Sequence, residues 1–569
     1  MTSETLPPAF ILLLGAFVLL GVPARVRSAV FVLFAALGFG HVMRLPLGTT
    51  AVGNFAEFQL ILLSVDSVNR VFGMIFSLIV LIGGIYAWHV KNRGEPVAAM
   101  LYAAGALGVT FAGDFITLLI WWEVMAIAST ALIYARGTAE SRGAAMRYLL
   151  VHLLGGSVLL GGVAWHYAAY GHMLIGALDP SFGGAWLILF GVALNAAIPP
   201  LHPWLPDAYP SATVTGTIFM GALTTKSAVY VLMRLFPGWE VLVWAGVIMA
   251  IYGLIYAVLA NDIRRILAYS IISQVGYMVT GIGLGTALSL NGTAAHAYSH
   301  ILYKALLLMG AGVVLHTTGK SKLSELGGLG KYLPLTLWLF MIGALSISGV
   351  PLFNGFISKS MIVSSAGEAH REGMMLVLFV ASVGSFLHTG LRIPVFTFWG
   401  PDVGLRPSKP PVNMIIAMVV AAALCVFYGC YPSALYRFLP FEAEYHPYTI
   451  PHLVESVQLL TFTFIGFWVF RRKLQGEPLI VLETDWIYRR GLHRPAKLLL
   501  NVVNGTFGAA ARGRDHVIAR LVDMAQHPLR PFRPADAPRY DENEDRLPLG
   551  TGLAITVLFL VLLAVWAAQ

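Results

Sequence analysis

AHAYSHILYKALLLMGAGVV, residues 295–314, decides the class of this chain. A stretch this long and apolar spans the hydrocarbon core of a bilayer as one helix, for which about 20 residues suffice. Its single formal charge is Lys304. His296, His300 and Lys304 recur at every fourth position and so line one helix face over about 12 Å. Histidine and a lysine taken out of water have comparable proton affinities near neutrality, so with water the three can pass a proton along. The alternative is a pair of core histidines bonded to backbone and a lysine snorkelling to the surface. The apolar run LLLMGAGVVLH after Lys304 makes snorkelling difficult.

Other ionisable residues lie inside equally apolar segments. They are Glu123 in LIWWEVMAIAST, Lys226 in GALTTKSAVYVLM and Lys359 in PLFNGFISKSMIV, with Lys331 more marginally at the start of a helix. Each costs at least about 2.5–3.5 kcal/mol at membrane depth, so their repetition points to an ion pathway. Lys226 is the expected partner that keeps Glu123 ionised, and Lys359, beside a broken segment, is the expected proton exit. Asp114 is either a second carboxylate or a helix-end cap. Lys331 reads as an interfacial residue.

Composition agrees with a membrane chain. Its 569 residues are 57% hydrophobic and 11% charged, with a mean hydropathy of +0.75. The net charge of +9 is spread over short loops and one late segment, which excludes a nucleic-acid-binding platform. The N-terminal MTSETLPPAF has neither a basic n-region nor a small-residue cleavage site, so no removable signal peptide is expected. Cys425 and Cys430 share one apolar span and read as buried free thiols. GIGLG (281–285) is a small-residue packing face, and GLGKY (328–332) lacks the residues of a phosphate loop. No flavin, metal or other cofactor pattern is present, so no cofactor is expected.

Apolar stretches can be counted near 8–22, 27–43, 64–88, 97–113, 114–134, 145–167, 184–200 and 211–234. Others follow near 241–260, 265–285, 294–316, 334–360, 372–399, 412–431, 452–471 and 549–567. The fold class is therefore an all-α polytopic membrane protein with about 14–16 transmembrane helices. Alternate loops carry the basic residues: Arg25, Arg27, Lys91, Arg93, Arg136, Arg142, Arg147, Arg264, Arg265, Lys320, Lys322, Arg406, Lys409 and Arg471 to Lys473. The positive-inside rule places these loops in the cytoplasm and the N-terminus outside; the membrane expected is a bacterial inner membrane.

Two spans look broken: LNAAIPPLHPWLPDAYP (194–210), with four prolines before its last, and ALSISGVPLFNGFISKSM (344–361), with Gly349, Pro351 and Gly355 in mid-span. Discontinuous helices in corresponding halves mark ion sites in transporters. The expected organisation is N-terminal helices over 1–96, halves over 97–260 and 261–435, and another span within 436–473. A cytoplasmic segment follows over 474–548, then a final helix over 549–569. Within that segment, Trp486 to Met524 suits an amphipathic helix on anionic lipid, and 527–548 a tether.

At WWEVMAIASTALIY (121–134), PPLHPWLPDAYP (199–210), TTKSAVYVLMR (224–234), NDIRRILAYSIISQVGYM (261–278), HAYSHILYKALLLMGAGVV (296–314) and SISGVPLFNGFISK (346–359), the chain resembles a known family. It is that of the antiporter-like subunits shared by respiratory complex I, membrane-bound hydrogenases and Mrp-type cation/proton antiporters. The resemblance runs from about residue 60 to 435 and is greatest to the D-type Mrp subunit. It implies two inverted five-helix repeats, each with a broken helix and a half-channel. It also implies a hydrophilic axis through Glu123, Lys226, Lys304 and Lys359, a second antiporter-like chain as partner, and a monovalent cation exchanged for protons. A long lateral helix and extra final span, as in the largest complex I member, are implied for 484–567.

The chain departs from the family at Asn195, where a lysine is usual. An amide cannot exchange a proton at neutral pH, so either Lys226 carries the first half's charge alone or that half-channel is inactive. The SATVTG stretch (211–216) is also poorer in proline than in relatives. Rival readings are a pump arm of a redox enzyme, a haem-b subunit using His152, His166, His296 or His300, and a scaffold without transport.

Overall fold

The computed structural model describes residues 5–55, 58–442, 444–475, 483–484, 486, 490–491, 493–526 and 549–567. Residues 1–483 form one compact unit and 484–569 another. Among the described residues, eleven helices are long and apolar enough to cross a membrane, and four shorter apolar helices accompany them. The polytopic helical class read from the sequence holds.

Helix ends follow local chemistry. Asp66 caps Ser67–Tyr86, accepting from the Val68 and Asn69 amides, while the Asn69 side chain returns the contact to the Asp66 backbone. Gly285 and Gly319 end Ile263–Leu284 and Ala287–Thr318 in the left-handed conformation, which costs a residue without Cβ nothing. One element departs from the all-helical expectation. Thr50–Phe55 and Phe58–Ser64 pair antiparallel as a hairpin, and the Asp114 carboxylate ties it to the start of Phe115–Tyr134 by accepting from the Ile61 amide at 2.6 Å.

Both proline- and glycine-rich stretches interrupt helices. Gly183–Asn195 stops before Ala197, which is left-handed at φ 59°, and the chain resumes as Trp204–Ser211. The stretch expected as one span over 334–360 is two helices. Pro334–Ser348 ends at Gly349 with φ 73°, and Asn354–Glu368 leads away from it. A third irregularity had no counterpart in the reading of 372–399. After Glu372–Ser385 the backbone widens to π-helical geometry over Phe386–Arg392 and Val395–Trp399. Pro394, which lacks an amide proton, lies between these segments.

Buried polar groups hold the first break. The Arg264 guanidinium, 3% exposed, donates to the carbonyls of Tyr209 (3.0 Å), Pro210 (2.9 Å), Ala212 (2.9 Å) and Thr213 (3.1 Å), and to the Thr217 hydroxyl. It thereby satisfies carbonyls that the interrupted helix leaves without amide partners.

The loops sort into two sets. Those rich in basic residues contact one another through Arg147–Asp207 at 2.8 Å, Asn261–Ser324 at 2.9 Å and Lys331–Asp402 at 2.5 Å. The Lys331 ammonium, with the Gly404 amide and Arg406, holds the Asp402 carboxyl down to about 2. Lys331, read as an interfacial residue at a helix entrance, ends the 3-10 turn Leu329–Lys331 just before helix Pro334–Ser348. The opposite set meets through Arg371–Glu240 at 2.9 Å, Asn291 to the Phe441 carbonyl at 2.7 Å, and Arg234–Asp66.

In the second unit, His493–Gln526 is one helix with exposed Leu498, Phe507 and Leu521 among its arginines, within the segment expected to be amphipathic. Leu549–Ala567 is the final apolar helix. The expected tether over 527–548 lies outside the described residues.

Candidate functional site

Helix Ala287–Thr318 is buried along nearly its whole length, including His296, His300 and Lys304, each 0% exposed. Its i, i+4 spacing delivers the face read from the sequence. Lys304 Nζ donates to the Ser270 hydroxyl of helix Ile263–Leu284. One turn away, Tyr303 donates to Gln274 Oε1 at 3.2 Å, and Gln274 Nε2 donates to Ser385 Oγ at 3.0 Å. His296 Nδ1 lies 3.1 Å from Ser358 Oγ, and the His296 and His300 rings are 6.2 Å apart. Ser358 precedes Lys359 on the second half of the broken pair, so the line continues to that lysine.

Lys359, 4% exposed, donates to the Ile347 carbonyl at 2.7 Å and lies 5.4 Å from the centre of the Tyr277 ring. Ile347 belongs to the last turn before the break, where carbonyls lack helical partners. A cavity of about 370 Å³ opens beside Lys359, between Asn354–Glu368, Glu372–Ser385 and Ile450–Phe470. Ser348, Gly349 and Ser382 line it near the lysine, and Glu368, His452 and Glu455 further out.

Lys226 is 0% exposed and bonds its own helix break. Nζ donates to the Gly221 carbonyl at 2.8 Å and to Thr225 Oγ1 at 3.0 Å. The segment Thr224–Leu235 touches helix Ala287–Thr318, so Lys226 sits beside the central line. Behind it, Thr224 links the Tyr102 and Tyr148 hydroxyls, and Tyr148 stacks on His152 at 3.9 Å.

Glu123 is not the partner of Lys226. Among the described residues no ion pair includes Glu123, Lys226, Lys304 or Lys359. The Glu123 carboxylate is half-buried against helix Ala139–Tyr170, where a Cβ on Gly156 would lie 1.8 Å from Oε1. The expectation failed because helix order along the chain says nothing of which faces meet. Asp114 resolves as a cap, accepting from the Thr117 amide at 2.8 Å and its hydroxyl at 2.6 Å as well as from Ile61. Asp114→Ala is expected to lower stability by about 1–2 kcal/mol. Asp114→Asn should leave translocation per folded molecule unchanged; a folded but inactive D114N would give the carboxylate a transport role. Asn195 is fully buried at the end of its helix, and neither amide atom has a hydrogen-bond partner.

The sequence reading missed Gln274, His388 and Arg392, all buried on segments facing the lysines. Arg392 donates to the Ala257 carbonyl at 3.2 Å and the Ala260 carbonyl at 2.8 Å. A histidine and arginine four apart in FLHTGLR were a usable signal. Of the histidines named for a haem site, His152 is stacked on Tyr148, His166 lies beside His172 with ring centroids 5.2 Å apart, and His296 and His300 share one helix.

The architecture defines a helical, polytopic integral membrane protein whose two broken stretches both pack against helix Ile263–Leu284, beside the buried lysines. The family described as NADH:quinone oxidoreductase/Mrp antiporter, transmembrane, matches residues 112–388. The D-type Na(+)/H(+) antiporter chain of Alkalihalophilus pseudofirmus is 33% identical over 361 residues, covering 59% of this chain and 72% of the relative. The N-type NADH-quinone oxidoreductase chain of Desulforudis audaxviator is 32% identical over 376 residues, covering 60% and 75%. A chain of the Mrp complex from Dietzia sp. DQ12-45-1b superposes with a TM-score of 0.66 at 22% identity, covering 81% of this chain and 98% of that one. This chain belongs to the NADH:quinone oxidoreductase/Mrp antiporter family and is an antiporter-like membrane subunit.

Proposed function

We propose that this chain is the proton-translocating subunit of a multisubunit sodium/proton antiporter. Residues 97–260 and 261–435 act as its two inverted halves, and a second antiporter-like chain accompanies it. Protons pass between Lys226, His300, His296, Lys304 and Lys359, and leave through the cavity beside Lys359. Glu123 acts from the edge of the first half, as a field on the line rather than an ion-pair partner.

The observation that carries this reading is the set of buried lysines that, among the described residues, have no carboxylate partner and bond carbonyls and hydroxyls instead, with the buried histidines of Ala287–Thr318 between them. An uncompensated ammonium out of water costs several kcal/mol, which is difficult to explain as structural glue. The basic loop face is taken as cytoplasmic, with the N-terminus outside a bacterial inner membrane. A second reading, the pump arm of a complex I-like or hydrogenase-linked oxidoreductase, draws on the nearly equal identity to the N-type oxidoreductase chain.

The test is purification of the intact complex through a tag on this chain, with mass spectrometry of its partners and transport in inverted vesicles. Small membrane partners and dissipation of a pH gradient on adding sodium are expected. Iron–sulfur or flavin partners, with proton uptake driven only by a redox substrate, would replace the antiport reading with the pump arm.

A further inference from the structure

We propose that Glu483 and His202 form the acid–base pair by which protons enter the first half; the proposal rests on the proton-translocating reading above. His202 lies in the first break, between Gly183–Asn195 and Trp204–Ser211, and is 0% exposed. Neither ring nitrogen has a hydrogen-bond partner. Glu483 comes from far along the chain, beyond the last helix of the first unit, yet reaches this break. Its Oε2 accepts from the Tyr269 hydroxyl at 2.5 Å. Its Oε1 lies 3.2 Å from His202 Nε2, off the line of a hydrogen bond but within the reach of proton transfer after a small rotation.

The surroundings leave these two as the exchanging groups. The Tyr252 ring packs edge-on against His202 with centroids 4.4 Å apart, and Tyr256 stacks on Tyr252. Arg265 is the nearby charge acting on Tyr269. Arg147 and Asp207, on the adjoining loop face, are paired with each other. Tyrosine and arginine hold their protons at neutral pH. Glu483 is 13% exposed at its side chain, between the basic loop face and the buried ring.

A proton from water on that face first binds the Glu483 carboxylate. The Oε1–H bond then breaks as Nε2–H forms, leaving carboxylate and imidazolium. The imidazolium then gives its Nδ1 proton to a water molecule on the inner side, the ring rotates to bring the bare nitrogen back to Glu483, and the carboxylate takes the next proton from water on the loop face. The titratable group that Asn195 does not supply at the end of its helix is thus brought to the break from elsewhere in the chain. A carboxylate serving only to dock this segment would need just the Tyr269 bond, which a glutamine also makes.

The test measures initial proton-translocation rates of the whole complex in inverted vesicles between about pH 6 and 9. Glu483→Gln keeps an acceptor for Tyr269 and loses the proton site. It is expected to lower the rate about 100-fold and to flatten its pH dependence. His202→Gln should do the same, and the double variant should be no worse than either single one. Tyr269→Phe, which removes the bond that positions Glu483 but keeps both proton sites, should lower the rate less than Glu483→Gln and leave the pH profile as in wild type. A wild-type rate and pH profile for E483Q, with Lys304→Gln inactive, would overturn the inlet and leave the axis standing. Wild-type rates for both would overturn the axis itself. Equal losses of folded complex in E483Q and Y269F, with an unchanged pH profile, would reduce Glu483 to a docking residue and overturn the proposal.

Discussion

Lys304→Gln is expected to lower proton translocation about 100-fold or more while leaving the folded protein at least as stable. General acid–base groups contribute factors of about 10²–10⁴, and Lys304 is the middle proton site of the proposed line. The stability side follows from burial. Lys304 is 0% exposed with a serine hydroxyl as its hydrogen-bond partner, so a neutral amide removes a desolvated charge and retains a donor for Ser270. Lys304→Arg is the sharper variant. Arginine keeps the positive field and does not release its proton. If Lys304 acts only as a fixed charge, K304R restores translocation; if it exchanges protons, K304R is as inactive as K304Q. The measurement is the initial rate of dye-reported pH change in inverted vesicles, normalised to assembled complex. An active K304R would sink the relay.

Gly355→Ala should have the largest structural effect of any single methyl group near the site. A Cβ there would lie 1.7 Å from the Ser346 carbonyl oxygen and 2.7 Å from its carbon. Both are backbone atoms, so no side-chain rotation relieves the clash. The helix Asn354–Glu368 must therefore move away from Pro334–Ser348. Overpacking of this kind costs about 1–3 kcal/mol, occasionally more. The displacement also carries Lys359 away from the Ile347 carbonyl, where it sits at 2.7 Å. A lowered unfolding temperature in detergent and a translocation loss of about tenfold are expected. Gly373→Ala, in the next helix with nothing within 4 Å of the added carbon, is the control and should change stability by less than about 0.5 kcal/mol. Equal melting temperatures for G355A and G373A would mean that the second break does not need this close approach.

Much of this was legible before any fold was known. The spans follow from runs of apolar residues, because a bilayer admits only backbones that satisfy their own hydrogen bonds. Both breaks were visible as clustered prolines and glycines, which remove an amide or adopt positive φ cheaply. The face of His296, His300 and Lys304 needed only the helical period. Asp114 was left between two roles by its position, and the hairpin amide that it binds settled the cap.

What the one-dimensional pattern carried was therefore local: where helices run, where they stop, and which of them hold a charge. Which charges meet was decided only in three dimensions. Glu123 and Lys226 share a half of the chain, yet Gly156 opens a place for the carboxylate on another helix and the lysine turns to its own break. Glu483 lies nearly three hundred residues from His202 and still arrives beside it. Hydropathy reports the free energy of moving a segment out of water, which depends on its composition alone. Pairing depends on the rotation and crossing of helices packed together, and their contacts are set by shapes contributed from distant parts of the chain.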